Sequence, residues 1–139
     1  MRIIVATDGS PGGNRAVDAA ARLAKEKHCE LVILTIGGSI TGAELRKLAS
    51  NYGDLSKTLE RAANQLLNQA RKRALRIGAT AIKLQTGWGD PGETIIQSVR
   101  RDDILVLGRR GRGRLSGLLL GSVSQKVTSL APCVVMVVP

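Results

Sequence analysis

The chain contains no phenylalanine, a single tryptophan (Trp88) and a single tyrosine (Tyr52) among 139 residues. So few aromatics count against modules that stack bases on aromatic side chains. Ile, Val, Leu and Ala must build the core. The only histidine is His28, beside Cys29, and zinc takes three or four ligands, so this pair is a poor metal site. The two cysteines, Cys29 and Cys133, are far apart and form no CxxC; they are expected as buried free thiols of a cytosolic protein. No apolar run approaches the roughly 18 residues of a membrane span, and Arg2-Ile3-Ile4-Val5-Ala6 is too short for a secretion signal. The expectation is a soluble cytoplasmic protein. Acidic residues are also scarce: 11 Asp and Glu face 21 Lys and Arg, a net charge of +10. That excess points to an anionic partner, whether nucleic acid, an acidic surface or a phosphorylated small molecule.

What is present is a regular alternation. Short apolar runs occupy residues 3–6, 31–36, 81–86, 104–107 and 133–138. Four are nearly continuous, as in strands of a parallel sheet buried on both faces. Residues 81–86 (Ala-Ile-Lys-Leu-Gln-Thr) alternate, which suits a sheet edge. Helical patterns lie between them. The first starts at Ser10-Pro11, a capping serine with proline at the first helical position, and runs to about Lys27 with Ala16, Ala20 and Leu23 inward. The second carries Leu55, Leu59, Ala63, Leu66, Ala70 and Ile77, and Gly78 ends it. The third opens at Asp90-Pro91-Gly92-Glu93, with the spacing of a capping box, and carries Ile95, Ile96 and Val99. The fourth begins near Gly121-Ser122, carries Val123, Val127 and Leu130, and stops before Pro132. This βαβαβαβαβ order predicts an α/β protein: one domain over residues 1–139, with a parallel sheet, right-handed crossovers and helices on both faces. The weakly patterned segment 37–54 is expected to be a mobile connection.

In open α/β sheets, ligands lie beyond the carboxyl ends of the strands. After the first strand comes Thr7-Asp8-Gly9-Ser10, where Asp8 serves either as a metal or ribose contact or as a turn former. After the third comes Gly87-Trp88-Gly89-Asp90-Pro91-Gly92, formally GxGxxG. That fingerprint belongs after a first strand and wants an acidic residue about 20 positions on. Arginines stand there instead, so a glycine turn into a proline-started helix is the plainer reading. After the fourth strand come Gly108-Arg109-Arg110-Gly111-Arg112-Gly113-Arg114 and then Gly121-Ser122. Glycines let backbone amides approach a phosphate, and a helix N-terminus favours negative charge. A flexible basic loop on a solvated surface is the competing explanation.

Together these residues resemble the universal stress protein family, in its ATP-binding branch, which carries G-x2-G-x9-G-[ST] after the fourth strand. Gly108, Gly111, Gly121 and Ser122 match that pattern in full. Ile-Val-Ala-Thr-Asp-Gly-Ser near the N-terminus, the run from Asp103 to Gly108, Gly121-Ser122-Val123-Ser124 and Ala131-Pro132-Cys133-Val134-Val135 are also similar to the family. The resemblance covers essentially the whole chain. It implies a Rossmann-like three-layer sandwich around a five-stranded parallel sheet of order 3-2-1-4-5. It further implies a homodimer joined through the last strand, Val134–Val138. Asp8 would contact the nucleotide and its Mg²⁺ or Mn²⁺, Ile36 would lie near adenine, and Gly108 and Gly111 would approach ribose and phosphates. Gly121, Ser122, Val123 and Ser124 would hold phosphates. The chain departs from the family in a longer 87–92 loop, a heavier arginine load at 109, 110, 112 and 114, and an unmatched segment 37–54.

The expected function is therefore an ATP-binding stress-response switch or partner-binding module, with a protein partner that the sequence does not name. A slow Mg-dependent ATPase is an alternative, although no general base is evident and GxxxxGK[ST] is absent. A basic nucleic-acid binder using the Arg109–Arg114 loop is another. A phosphorelay receiver would need an Asp ending the third strand and a Lys ending the fifth; Thr86-Gly87 and Val138-Pro139 stand there.

Overall fold

The structure, a computed structural model, describes residues 1–37, 55–111 and 120–139. Most of the expected 37–54 connection, and Arg112 and Arg114 of the basic loop, lie outside these residues. The elements run β1 (Ile3–Ala6), α1 (Pro11–Lys27), β2 (Leu31–Ile36), α2 (Leu55–Ile77), β3 (Ile82–Gly87), α3 (Pro91–Ser98), β4 (Ile104–Gly108), α4 (Ser122–Leu130) and β5 (Val134–Val138). They form a five-stranded sheet of order β3-β2-β1-β4-β5 with every pairing parallel.

The central strands are continuously apolar because both of their faces are covered. Ile3, Val5, Leu31, Ile33 and Val106 pack with α1 and α2 on one side. Ile4, Val32, Leu34, Leu105 and Leu107 pack with α3 and α4 on the other. The alternating strand β3 is indeed an edge. The other edge is β5, whose Val134 is 64% and Met136 38% exposed despite an unbroken apolar run.

Local chemistry sets the helix ends. Ser10 Oγ accepts the Gly13 N–H at 3.1 Å, with Pro11 opening the helix. His28 ends α1 in the left-handed region at φ +52°, and the cap amide bonds to the carbonyls of Ala24 and Lys25. Asp90 caps α3 by accepting the Glu93 N–H at 2.9 Å. The reciprocal half of the expected capping box is replaced, because Glu93 Oε1 pairs with Lys126 at 2.9 Å. On α2 the buried stripe is Ala63, Leu67, Ala70 and Ala74. Leu66, expected inward, is half-buried, as are Leu23 of α1 and both free cysteines. Leu130, expected inward, is 60% exposed at the last position of α4, where the helix gives way to its C-cap Ala131.

At the amino edge of the sheet, Asp103 ties β4 to β1. Its Oδ1 accepts from Arg2 Nε at 3.1 Å and from the Arg2 backbone N–H at 3.2 Å. Its Oδ2 accepts from Arg2 Nη2 at 2.7 Å and from the Arg100 N–H at 2.8 Å. Burial alone would raise the Asp103 carboxyl; these bonds outweigh it and hold the carboxyl below its ordinary value. Burial, aided by the Asp103 charge, pushes the Cys133 thiol up. The carboxyl edge is thereby left free of this structural ion pair.

Candidate functional site

The strand order reverses between β1 and β4, and a crevice at such a point is where open α/β sheets take ligands. The turn after β1 is shaped by its own side chains. Gly9 takes φ +78°, its N–H reaches Thr7 Oγ1 at 3.2 Å, and the Ser10 N–H donates to Asp8 Oδ1 at 2.9 Å. Asp8 is thus both a turn former and a half-buried carboxylate whose Oδ2 lies against Gly111.

The turn after β4 closes directly onto this one. A Cβ at Gly111 would stand 2.5 Å from Asp8 Oδ2, and one at Gly108 would stand 2.9 Å from the Gly12 carbonyl oxygen. A Cβ at Gly12 would in turn meet the Arg110 carbonyl oxygen at 2.7 Å. Real Cβ atoms do not come so close to fixed backbone, so Gly108 and Gly12 are what let the two turns touch, while at Gly111 the Asp8 carboxylate would have to give way. Gly12 escaped the sequence reading. Its signal was a Gly-Gly pair in a first helical turn, where glycine otherwise costs about 1 kcal/mol relative to alanine.

Gly121 behaves differently. It is the N-cap of α4 at φ −72° and ψ 170°, a conformation open to any residue, and no capping side chain serves the helix. A Cβ there would meet nothing nearer than 3.6 Å among the described residues. Its N–H bonds to the Arg109 carbonyl at 2.9 Å, which fastens the helix start to the end of β4. The next three amides, of Ser122, Val123 and Ser124, are those a helix leaves without an internal partner. Ser122 is exposed and Val123 half-buried. Ser124 is buried and its hydroxyl donates to the Gly108 carbonyl at 2.8 Å, so in this state it fastens α4 to β4.

Ile36 ends β2, 7% exposed, opposite Gly87 in the β2–β3 register. A Cβ at Gly87 would crowd Thr94 Cγ2 at 2.5 Å and Ile36 Cδ1 at 2.9 Å. The following Trp88 is 49% exposed, and its benzo ring occupies the space a side chain at Gly37 would need. This Trp88–Gly37 contact was invisible in the sequence, where Trp88 was only a letter inside GxGxxG. The plainer reading of that string holds: Gly89 turns at φ +114°, Asp90 caps and Pro91 starts the helix.

The structure therefore brings Asp8, Gly108, Gly111 and the Gly121–Ser124 helix start together at the switch point. Ile36 lies one strand beyond, on β2. Strand spacing of about 4.8 Å puts β2 and β4 about 10 Å apart. Among the described residues no three His, Cys, Asp or Glu side chains gather as a metal site. A single carboxylate such as Asp8 suits Mg²⁺ only when phosphate oxygens and water complete the shell.

The family model of the universal stress protein family matches residues 1–139. The chain belongs to the universal stress protein family. It is 31% identical over 147 aligned residues to the universal stress protein YxiE of Bacillus subtilis, covering 99% of this chain and 97% of that one. A universal stress protein solved in complex with cAMP superposes with a TM-score of 0.76 at 28% identity, covering 100% of this chain and 97% of that chain. The universal stress protein of Archaeoglobus fulgidus in complex with dAMP gives a TM-score of 0.66 at 17% identity, covering 100% and 98%; that likeness speaks for the fold alone. Among the described residues, no helix of this family member is long and apolar enough to cross a membrane.

Proposed function

We propose that the protein binds an adenine nucleotide, ATP with Mg²⁺ or Mn²⁺, across the carboxyl edge of its sheet. It would act as a nucleotide-dependent stress-response switch or partner-binding module in the cytoplasm. The observation that carries this reading is Gly121: neither its backbone conformation nor its described neighbours require glycine, whereas a close-lying phosphate would. The N–H groups of Ser122, Val123 and Ser124 and the Ser122 hydroxyl then take phosphate oxygens. Gly108 and Gly111 let the backbone approach ribose and phosphate. Asp8 contacts the nucleotide and its divalent ion, which neutralises phosphate charge. The base lies over Ile36, beside Trp88. The cAMP complex of a relative 28% identical to this chain supports the nucleotide class. Asp8 Oδ1 already accepts the Ser10 amide, which favours binding over fast hydrolysis.

A homodimer through Val134–Val138 fits the same reading, since β5 is an edge with exposed apolar side chains.

The test is to denature freshly purified protein, identify any released nucleotide, and titrate ATP while following Trp88 emission and Tm. At ATP near 100-fold Kd the stabilisation is about 2.7 kcal/mol. For a chain of this size that is a Tm rise of about 5–10 °C. Gly121→Val removes the rise. No released nucleotide together with no Tm change would sink the reading.

A further inference from the structure

We infer that the outer face of α2 binds duplex nucleic acid through its phosphate backbone. Charge is distributed very unevenly over the two helical layers. On α2, Lys57, Arg61, Arg71, Lys72, Arg73 and Arg76 face Glu60 alone, a net +5 out of the chain's +10. On the opposite side of the sheet, α3 carries only Glu93 and α4 only Lys126, and these two pair with each other. Of the helical layers, the excess thus belongs to the face α2 shares with α1, apart from the arginines of the 109–114 loop.

The arrangement on α2 is ordered. At about 100° per residue, Lys57, Arg61, Lys72 and Arg76 fall in a stripe about 100° wide, opposite the buried Ala63, Leu67, Ala70 and Ala74. The stripe is about 28 Å long, from a rise of 1.5 Å per residue. Between its two cation pairs, about 16 Å apart, lie Gln65 and Asn68, which donate hydrogen bonds and carry no charge. Glu60 stands outside the stripe, beside the buried positions. All four cations are exposed, and none forms an ion pair among the described residues. By contrast Arg73, turned toward α1, pairs with Asp18 at 2.7 Å.

Helix stability accounts for only part of this pattern: Arg76, in the last turn, suits the helix dipole. Lys57/Arg61 and Lys72/Arg76 are like charges at i,i+4, which weaken a helix, and Lys57 sits in the first turn, where cations oppose the dipole. A polyanion resolves both conflicts. The partner is a duplex rather than a bilayer, because the apolar stripe of α2 is already buried on the sheet. The one large apolar side chain that α2 is described as exposing is Leu75, at 46%. It is a duplex rather than a single strand because the face carries no aromatic to stack a base. Paired cations flanking a gap of this size suit phosphates on either side of a groove about 12 Å wide. Backbone contacts of this kind carry little sequence preference. The face is separate from the nucleotide edge, so the inference stands independently of that proposal.

The test is fluorescence anisotropy with a mixed-sequence 25-base-pair DNA or RNA duplex between 50 and 200 mM NaCl. Four phosphate contacts predict a log K against log salt slope of about −3.6, an affinity loss of roughly 100-fold over that range. Lys57→Gln, Arg61→Gln, Lys72→Gln and Arg76→Gln combined should remove most of the binding and flatten the slope, while the circular dichroism spectrum is unchanged. Lys72→Gln alone should reduce the slope by about 1. Unchanged binding in the combined variant overturns the inference. So does loss of binding in Arg109→Gln/Arg110→Gln instead, or affinity for phosphatidylserine vesicles with none for duplex.

Discussion

Gly108, Gly111 and Gly121 belong to one motif yet answer to different constraints. Gly108 is required by backbone: Gly108→Ala drives a Cβ into the Gly12 carbonyl. It should cost about 1–3 kcal/mol in a urea melt, as overpacking does. Gly121→Ala meets only ordinary contacts, so its stability should stay within about 1 kcal/mol while ATP affinity falls at least about tenfold (one lost contact of 1.4 kcal/mol). Equal stability losses at both positions would show that the motif serves packing alone. Asp103 makes a different prediction. Asp103→Ala leaves the Arg2 guanidinium without its partner and should cost about 2–3 kcal/mol at neutral pH. Because its folded carboxyl is held low, this contribution is complete above the unfolded value of about 3.9 and is lost as pH falls through the folded value beneath it. The stability gap between wild type and variant should therefore close below about pH 3.9, as followed by Tm against pH.

At the scale of elements, hydrophobic period located every strand and helix among the described residues, and capping residues located most of their ends. Ser10, Asp90 and Gly121 all sit where their chemistry placed them. What escaped was decided between elements. Leu66 and Leu67 are equivalent in the sequence, but Leu67 lies one turn from Ala63 and Ala70 against the sheet, so it is the buried one. Glu93 was free to complete its own capping box until α4 brought Lys126 within 2.9 Å. His28, set aside as a metal ligand for want of partners, is a left-handed helix cap. Strand β5 repeats the lesson in reverse: its continuous run of Val and Met reads by periodicity as buried on both faces, yet two of its five residues, Val134 and Met136, are exposed at an edge. Val134→Lys with Met136→Lys should keep the protein monomeric in sedimentation equilibrium without unfolding it, whereas the wild type should sediment as a dimer if β5 is the contact. A wild-type monomer would remove β5 as the dimer contact.

Over the whole molecule, the same local rules produce two different faces and two different edges. The amino edge is pinned by Arg2 and Asp103, while the carboxyl edge gathers Asp8, the glycine turn and the start of α4 from segments about 100 residues apart. The alternation of short apolar runs with helical periods was sufficient to determine an α/β protein with a doubly covered parallel sheet, because each pattern buries in only one way. The matched glycine spacing, together with the opening strand, the 103–108 run and the closing strand, pointed to the family that the family model shows. Tertiary structure alone decided which glycines are held by backbone contact and which one is left open. It alone set Trp88 over Gly37 and Ser124 onto Gly108. It also decided that the charge on the helices is not evenly spread, since packing α1 and α2 on one side and α3 and α4 on the other sorts the helical cations by layer. The physical reason is common to all of these: they depend on distances between segments remote in the chain, and periodicity carries information only about near neighbours.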